Sequence, residues 1–174
     1  MIQGENICLR PVTRDDLELL EKWEHDPSAL SEYNYFGMRA PGSLERRFAE
    51  DGLLTAWHGD LLVVTPTGEI AGNVDYRRES YGPNEGSIVY NIGIGLIPEH
   101  RGKGYGSEAQ KLLVAYLFLT YPIMRVEAST DIENIREQRA LEKAGFTREG
   151  VLRKAQWRGG TWHDMVVYSK LRGE

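Results

Sequence analysis

Cysteine and long apolar runs are both scarce in this chain of 174 residues, and each absence limits the class of protein. The one cysteine, Cys8, excludes an internal disulfide framework and is typical of a reducing compartment. Between Ile7 and Leu9 it is expected to pack, not to react. No apolar run approaches the roughly 18 to 20 residues that cross a bilayer, and no secretory signal pattern begins at Met1. We therefore expect one domain over residues 1–174, in the cytoplasm and with no membrane partner.

The chain also lacks an excess of basic residues and any spacing typical of metal ligands. Its 21 lysines and arginines are outnumbered by 26 acidic residues, and the net charge of −5 argues against a nucleic-acid partner, because phosphate contacts need a basic face. An acidic surface would attract a cationic acceptor, although the same charge also serves solubility. No histidine has a second histidine four residues away or a cysteine partner, so we predict no metal site. The four histidines are His25, His58, His100 and His163.

The most informative segment runs from Ile94 to Ser107, where an apolar stretch ends at Pro98 and opens into Arg-Gly-Lys-Gly-Tyr-Gly. Glycines let a turn present backbone N–H groups to a phosphate without a Cβ in the way, and a helix N-terminus behind them favours an anion. A helix follows by pattern, since apolar residues recur at the spacing of one buried face. These residues are Ala109, Leu112, Leu113, Tyr116 and Leu117. The segment therefore predicts a strand, an anion-binding turn and a helix.

Two familiar phosphate loops fit this segment poorly. A Walker A loop needs serine or threonine directly after its lysine, whereas Lys103 is followed by Gly104. A Rossmann loop needs a glycine three positions after Gly104, but here the next glycine is Gly106, and half of the chain precedes the strand. The run Arg101-x-x-Gly104-x-Gly106 instead resembles the [Arg/Gln]-x-x-Gly-x-[Gly/Ala] loop with which GCN5-related N-acetyltransferases (GNATs) hold the pyrophosphate of acetyl-coenzyme A (acetyl-CoA).

A second block, residues 125–146, resembles the same superfamily through a strand, Asn134, and a helix that ends in Leu-Glu-Lys-x-Gly-Phe. It is most similar to the branch that includes ribosomal-protein alanine and serine N-acetyltransferases, which also close with a strand bearing His-Asp, here His163-Asp164. The resemblance implies an α/β (α+β) fold in a single GNAT-like domain. Its central sheet would be mixed, mostly antiparallel and splayed in the middle, with helices on both faces. It also implies direct transfer of an acetyl group from acetyl-CoA to a primary amine in a ternary complex.

The periodicity of the chain predicts where the elements lie. Strands are expected at 2–10, 61–64, 69–76, 88–97, 125–130, 147–158 and 161–171. Helices are expected from Leu17 to an end at Pro27, at 44–50, at 107–119 and at 134–144, the last with Gly145 as its C′ residue. In strand 88–97, bulky residues alternate with Asn91, Gly93 and Gly95, so that one face is partly bare.

The resemblance assigns the coenzyme to the loop, to the strand before it and to the second block. The loop amides would bind the pyrophosphate, Arg101 or Lys103 would add positive charge at the rim, and the pantetheine arm would pair with the strand edge near Leu96 and Ile97. An N–H on that edge would bind the oxyanion. Asn134 matches a pantetheine-binding position, and it also suits a helix N-cap. The complete set is Leu96, Ile97, Arg101, Gly102, Lys103, Gly104, Tyr105, Gly106, Ser107, Asn134 and Lys143, with no metal.

The residues for proton transfer depart from the family. Leu141 stands where many relatives carry a tyrosine that protonates the thiolate, and Glu137 and Gln156 replace a serine and a glutamate of the ribosomal-protein branch. Asn91 stands where a base is often found. Glu137 could act as an acid only if burial raised its pKa; otherwise it would be a base, an amine-binding charge or the partner of a nearby arginine. An ordered water chain held by Asn91, Tyr90 or Tyr168 is a further route, because a thioester needs little activation.

The last hairpin and the aromatic residues near the N-terminus complete the candidates. A two-residue turn at Gly159-Gly160 would set Gln156 opposite His163 and Ala155 opposite Asp164. Asp164 is a catalytic candidate together with Glu137 and Asn91, or else an anchor of this hairpin. The resemblance implies that the acceptor wall is formed by Tyr33, Tyr35, Phe36 and Trp57, unless these residues pack in the core.

Three functions remain open at this point. An N-acetyltransferase is supported by the two motif blocks, and its acceptor is a small-molecule amine or a protein N-terminus, its donor acetyl-, succinyl- or another acyl-CoA. The substituted positions are also compatible with a catalytically reduced acyl-CoA-binding module. A partner-binding scaffold that binds no coenzyme is the third. A homodimer is compatible with each of them.

Overall fold

The computed structural model describes residues 1–26, 28–29 and 31–174, and its strands form a single eight-stranded sheet. The strands are β1 (Ile2–Gln3), β2 (Cys8–Pro11), β3 (His58–Val64), β4 (Ile70–Ser80), β5 (Ile88–Leu96), β6 (Arg125–Asp131), β7 (Thr147–Arg158) and β8 (Thr161–Leu171). The helices are α1 (Leu17–His25), α2 (Ser43–Asp51), α3 (Tyr105–Thr120) and α4 (Ile135–Lys143). No helix among the described residues has the length and apolar character needed to cross a membrane.

The sheet is mixed, with strand order β1-β2-β3-β4-β5-β6-β8-β7, and its one parallel pair is β5 with β6. That pair covers only three positions, from Tyr90 opposite Val126 to Ile92 opposite Ala128. Beyond these residues the two strands separate, although both continue for several residues. The predicted mixed, mostly antiparallel and splayed sheet is thus confirmed, and the opening lies between the ends of β5 and β6.

Helices cover both faces of this sheet, as predicted. On one face, the bulky residues of β5 join α3 and α4 in the larger core, which includes Tyr90, Ile92, Leu113 and Leu141. On the other face, a smaller core forms where α1 and α2 pack on β3 around Leu62. The bare face of β5, predicted from Asn91, Gly93 and Gly95, is the face that carries α1 and α2, because side chains alternate along a strand.

The element boundaries differ from the predicted ones in two informative places. The expected strand 2–10 is interrupted, because the Gly4 N–H donates to the Ile7 carbonyl (2.9 Å) in a turn and Glu108 of α3 accepts the Asn6 N–H (2.8 Å). The first helix ends at His25, and Pro27, which we predicted to end it, lies outside the described residues. The remaining strands and helices begin and end within a few residues of the predicted positions.

The second difference is a bulge in the last hairpin. Gln156 lies opposite His163 as predicted, but the next paired residues are Leu152 and Met165, so Ala155 is not opposite Asp164. Lys154 has a φ of +51°, in the left-handed region that side chains rarely adopt. Its N–H donates to Asp164 Oδ1 at 2.8 Å, which satisfies a backbone group that the bulge leaves unpaired. The interpretation of Asp164 as a hairpin anchor therefore has a structural basis.

Candidate active site

The Gly-rich loop forms a cluster of backbone donors at the start of α3. Gly102 and Gly104 have φ values of +76° and +86°, which residues with a Cβ rarely adopt, so the sequence places glycine where the turn requires it. The first i to i−4 bond of α3 runs from the Glu108 N–H to the Gly104 carbonyl (3.2 Å). Earlier N–H groups of the first turn have no partner within the helix, which makes this end suitable for an anion. They belong to Tyr105, Gly106 and Ser107.

The two basic residues of the loop differ in their surroundings. The guanidinium of Arg101 donates to the Leu96 carbonyl through Nε (2.8 Å) and to the Ala29 carbonyl through Nη2 (3.1 Å). It thereby ties the end of β5 to the segment between α1 and α2, which is a positioning task that the sequence did not suggest. Lys103 is exposed. The positive charge expected at the rim is therefore better supplied by Lys103.

The free edge of β5 follows from the hydrogen-bond pattern of the sheet. The Ile97 N–H donates to the Ala71 carbonyl at 3.0 Å, toward β4. Because successive peptide groups of a strand point to opposite sides, the N–H groups of Ile94 and Leu96 point the other way, into the opening beside β6. Of the two residues expected on this edge, Leu96 has its N–H there and Ile97 does not. Ile94, which was not among the residues expected to bind the coenzyme, also has its N–H there.

Gly106 connects the loop to this edge. A Cβ at Gly106 would lie 3.6 Å from Leu96 Cδ1 and 3.7 Å from Ile94 Cδ1, so the first turn of α3 packs directly against the end of β5. The donors of the loop and the N–H groups of Ile94 and Leu96 are consequently neighbours. Together they form a row that leads from an anion site into the opening of the sheet.

Glu137 and Gln110 form a pair between α4 and α3 beside the opening. Gln110 is buried, and its Nε2 donates to Glu137 Oε1, while its own Oε1 has no hydrogen-bond partner among the described residues. Burial raises the pKa of Glu137 to about 7, and the bond from Gln110 only partly opposes the shift. The condition set for Glu137 to act as an acid at neutral pH is thus met by its surroundings. The alternative pairing with a nearby arginine does not occur among the described contacts.

Asn134 and Lys143 lie at opposite ends of α4. The Asn134 side chain accepts the Glu137 N–H at 3.3 Å and donates to Thr130 Oγ1 at 3.0 Å, so it is an N-cap that also fixes Glu137 relative to β6. Lys143 is exposed in the last turn. Because a nine-residue helix is roughly 13 Å long, Lys143 is well separated from Asn134. Leu141 is buried in the core, where the family tyrosine is missing.

An ionic cluster lies beside the opening, at the end of β6. Asp131 is buried and accepts a bond from Arg158, and His163 Nδ1 lies 2.9 Å from the same carboxylate. Burial works against its ionisation, but the bonds from Arg158 and the Glu133 N–H lower its pKa. Asp131, Glu133 and His163 are close enough to ligate one metal ion, yet Arg158 already places a positive charge against the same carboxylate. This geometry favours an ion pair over a metal.

Tyr33 is the aromatic residue that best matches the expected acceptor wall. The Arg158 guanidinium lies 5.3 Å from its ring centroid, and its hydroxyl donates to the Glu133 carbonyl (3.4 Å). The next residue, Asn34, donates through Nδ2 to the Ile94 carbonyl (3.2 Å), so the segment spans the opening from β6 to β5. Tyr35 is half-buried and Phe36 is exposed. Trp57 stacks on Arg78, away from these groups.

Asn91 and a carboxylate pair lie on the bare face of β5. Asn91 is half-buried and lies opposite Arg77 of β4. Asp75 of β4 lies opposite Gly93, and Asp60 of β3 lies opposite Asp75. These two aspartates could not be identified from the sequence, because only the register of three strands brings them together. The usable signal was glycine at positions 93 and 95 on one face of the strand, since glycine within a strand often marks a close approach.

Comparisons with known proteins agree with this geometry. Residues 6–147 match the family model described as the acetyltransferase (GNAT) domain. An uncharacterized N-acetyltransferase of Bacillus subtilis, YoaA, is 26% identical over 99% of this chain and 97% of its own length. A GNAT-family acetyltransferase structure from Bacillus anthracis superposes with a TM-score of 0.79 at 25% identity, covering 99% of both chains. Spermidine N-acetyltransferase from Vibrio cholerae, solved with CoA and spermine, gives 0.81 at 18% identity over 97% of both chains.

Proposed function

The chain belongs to the GNAT acetyltransferase family and is an acyl-CoA-dependent N-acetyltransferase, and on that premise we propose that it transfers acetyl groups directly to a cationic primary amine. The observation that carries the proposal is the row of backbone donors from the loop of α3 to Ile94 and Leu96. A cofactor with a pyrophosphate at one end and a thioester at the other matches such a row. We also propose that the protein is located in the cytoplasm.

Acetyl-CoA is held by groups that are already in place in the sheet and in the loop. The N–H groups of Gly102 to Ser107 bind the pyrophosphate, and Lys103 contributes a charge at the rim. The pantetheine arm then follows the edge of β5, and the thioester carbonyl lies at Ile94 or Leu96. An N–H at this edge stabilises the oxyanion that forms when the amine attacks.

The chemistry requires one base and one acid. The amine nitrogen forms a bond to the carbonyl carbon, the carbon–sulfur bond breaks, and the leaving thiolate takes a proton. Glu137 is suited to deliver that proton, because a pKa of about 7 leaves a large fraction of its carboxyl group protonated at neutral pH. Leu141 offers no such group. The acceptor approaches from the side of Tyr33 and α1, where small amines and protein N-termini both remain candidates.

Release of free CoA from acetyl-CoA tests the proposal. Purified protein is incubated with acetyl-CoA and with spermidine, aminoglycosides or N-terminal peptides of basic proteins, and the thiol is measured with a chromogenic disulfide. Succinyl-CoA in a parallel series tests the acyl group. We expect thiol release with acetyl-CoA and at least one cationic amine. CoA binding without release for any amine would support the reduced binding module, and the absence of CoA binding in calorimetry would exclude both.

A further inference from the structure

The face of the sheet that receives the acceptor carries a carboxylate at the apex of the opening. Asp75 of β4 lies directly opposite Gly93, and Gly93 follows Ile92, the last residue of β5 that pairs with β6. A Cβ at Gly93 would lie 2.6 Å from Asp75 Oδ2, so the carboxylate occupies the space that any other residue would fill. Glycine at this position therefore lets Asp75 reach the point where the strands separate.

The surroundings of Asp75 leave it free to bind a proton. Asp60, its neighbour on β3, interacts with Arg47 (3.4 Å) and accepts a bond from Asn73 (3.2 Å). Asp75 has no hydrogen bond or ion pair with any described side chain. It is half-buried, so part of the residue is accessible to solvent.

The charges around Asp75 come from four elements. Asp60 and His58 lie on β3, Arg77 lies on β4, Arg47 on α2 and Arg39 in the segment before α2. The part of β5 that faces Asp75 carries Asn91, Gly93 and Gly95 and no titratable group. Burial, followed by repulsion from Asp60, raises the pKa of Asp75 to about 6, while the arginines act in the opposite direction.

We propose that Asp75 is the general base of the reaction, accepting a proton from the acceptor ammonium directly or through one water. In this step an N–H bond of the ammonium breaks, its electron pair stays on nitrogen, and the proton binds to a carboxylate oxygen of Asp75. The neutral amine then attacks the thioester. This inference rests on the proposed function, since it requires an amine acceptor.

The other candidates for a base are less well placed. Asn91 carries no basic group, and Asp164 accepts the Lys154 N–H in the hairpin bulge. Glu137 contacts Gln110 of α3, on the opposite face of the sheet. The base and the acid are thus separated by the sheet: Asp75 faces the acceptor, and Glu137 lies on the side of α3 and α4. A carboxylate that binds protons about two pH units above an ordinary aspartate is also a stronger base.

The test compares pH profiles of variants with the most active amine of the acceptor panel. In the wild type, kcat/KM rises with pH through about 6 as Asp75 ionises. Asp75→Asn should lower kcat/KM at pH 7 by about 10²-fold or more and abolish this limb. CoA affinity, measured by calorimetry, should stay within about threefold of the wild type, because CoA binds at the Gly-rich loop and the edge of β5. The matched control is Glu79→Gln, which removes a carboxylate from the same face of β4 farther from the opening and should leave the profile unchanged.

A second variant keeps the proposal open to refutation if Asp75→Asn does not fold. Asp60→Asn removes the repulsion on Asp75 and should move the limb to lower pH without abolishing it. A limb that stays in place in Asp60→Asn, or an Asp75→Asn enzyme with wild-type kcat/KM and profile, would overturn the role of Asp75. In both cases the wild type is active, and the proposed function stands. Absence of turnover by the wild type for every amine would instead refute the proposed function, and the role of Asp75 with it.

Discussion

The pKa of Glu137 depends strongly on the surroundings of its carboxyl group. A solvent-exposed glutamate is ionised at neutral pH and cannot donate a proton, but burial against α3 raises the pKa of Glu137 to about 7. The sequence named the residue and stated this condition. It could not show that the condition holds, because the buried Gln110 that contacts Glu137 lies 27 positions earlier in the chain.

Substitution of Glu137 tests its assignment as the acid. Glu137→Gln should lower kcat by about 10²-fold or more while CoA affinity stays unchanged. In the wild type, activity should decline above about pH 7 as Glu137 loses its proton, and this limb should be absent from the variant. Steady-state kinetics between pH 5.5 and 9 measure both effects. Glu142→Gln, on the same helix, is the control, and equal losses in the two variants would contradict the assignment.

The proximity of Asp75 and Asp60 could not be predicted from the sequence. Fifteen residues separate them along the chain, and neither belongs to a motif. Their proximity depends on the antiparallel register of β3, β4 and β5, which the pattern of apolar residues does not specify residue by residue. Residues that lie within motifs, such as Gly104 and Asn134, could be named from the sequence because local geometry determines their roles.

Secondary-structure elements were predicted well wherever their signals are local. The alternation in β5, the buried face of α3 and the left-handed Gly145 after α4 all depend on residues a few positions apart. The interruption between β1 and β2 and the bulge at Lys154 were missed. Both are stabilised by distant carboxylates, Glu108 for the first and Asp164 for the second. Such contacts interrupt a predicted strand, and the residues of the strand itself give no signal of them.

The ion pair at the start of α1 is expected to contribute to the stability of the fold. Asp16 is buried, accepts two bonds from Arg10 of β2 (2.7 and 2.8 Å) and binds Thr13, so it fastens the helix to the sheet. The bond from Arg10 is the main reason that the pKa of Asp16 falls to about 2. Asp16→Asn should therefore lower the free energy of unfolding by about 2 kcal/mol at pH 7.

The pH dependence of this loss has a definite sign. The folded pKa of Asp16 lies below its ordinary value of 3.8, so the stabilisation is complete above that pH and disappears as the pH falls toward 2. Urea unfolding of wild type and variant at pH 7 and at pH 3 should show a smaller difference at pH 3. Asp15→Asn, an exposed neighbour, is the control. A loss that is constant with pH would contradict the ion-pair explanation.

The role of the Gly-rich loop in CoA binding can be tested by comparing Gly104 with Gly68, a glycine of nearly the same φ outside the loop. Gly104 has a φ of +86° and Gly68, in the turn between β3 and β4, has +85°, and a Cβ at either would meet open space. Each substitution by alanine should therefore cost about 1 kcal/mol of stability. Only Gly104→Ala should also weaken CoA binding, by about tenfold or more, because the donors of the loop are displaced. Calorimetry and thermal unfolding separate the two effects; equal CoA affinities would contradict the role of the loop.

At the scale of the whole molecule, a row of donors beside an open pair of strands couples CoA binding to the stability of the fold. The two cores lie on opposite faces of one sheet, but β5 and β6 share only three paired positions, so these two central strands lack hydrogen bonds to each other along the opening. A pantetheine arm along Ile94 and Leu96 would supply bonds that β6 does not. CoA should therefore stabilise the native state by mass action, by about 2.7 kcal/mol at a hundredfold excess over Kd.

Thermal unfolding at increasing CoA concentration measures this coupling. The wild type should show a Tm that rises with the logarithm of CoA concentration once Kd is exceeded. Gly68→Ala should begin from a lower Tm but respond with the same slope and midpoint, whereas Gly104→Ala should require about tenfold more CoA for the same increase. Asp75→Asn should respond like the wild type, because its carboxylate lies on the acceptor face. A Tm that is independent of CoA would show that the loop and the edge of β5 do not bind the coenzyme.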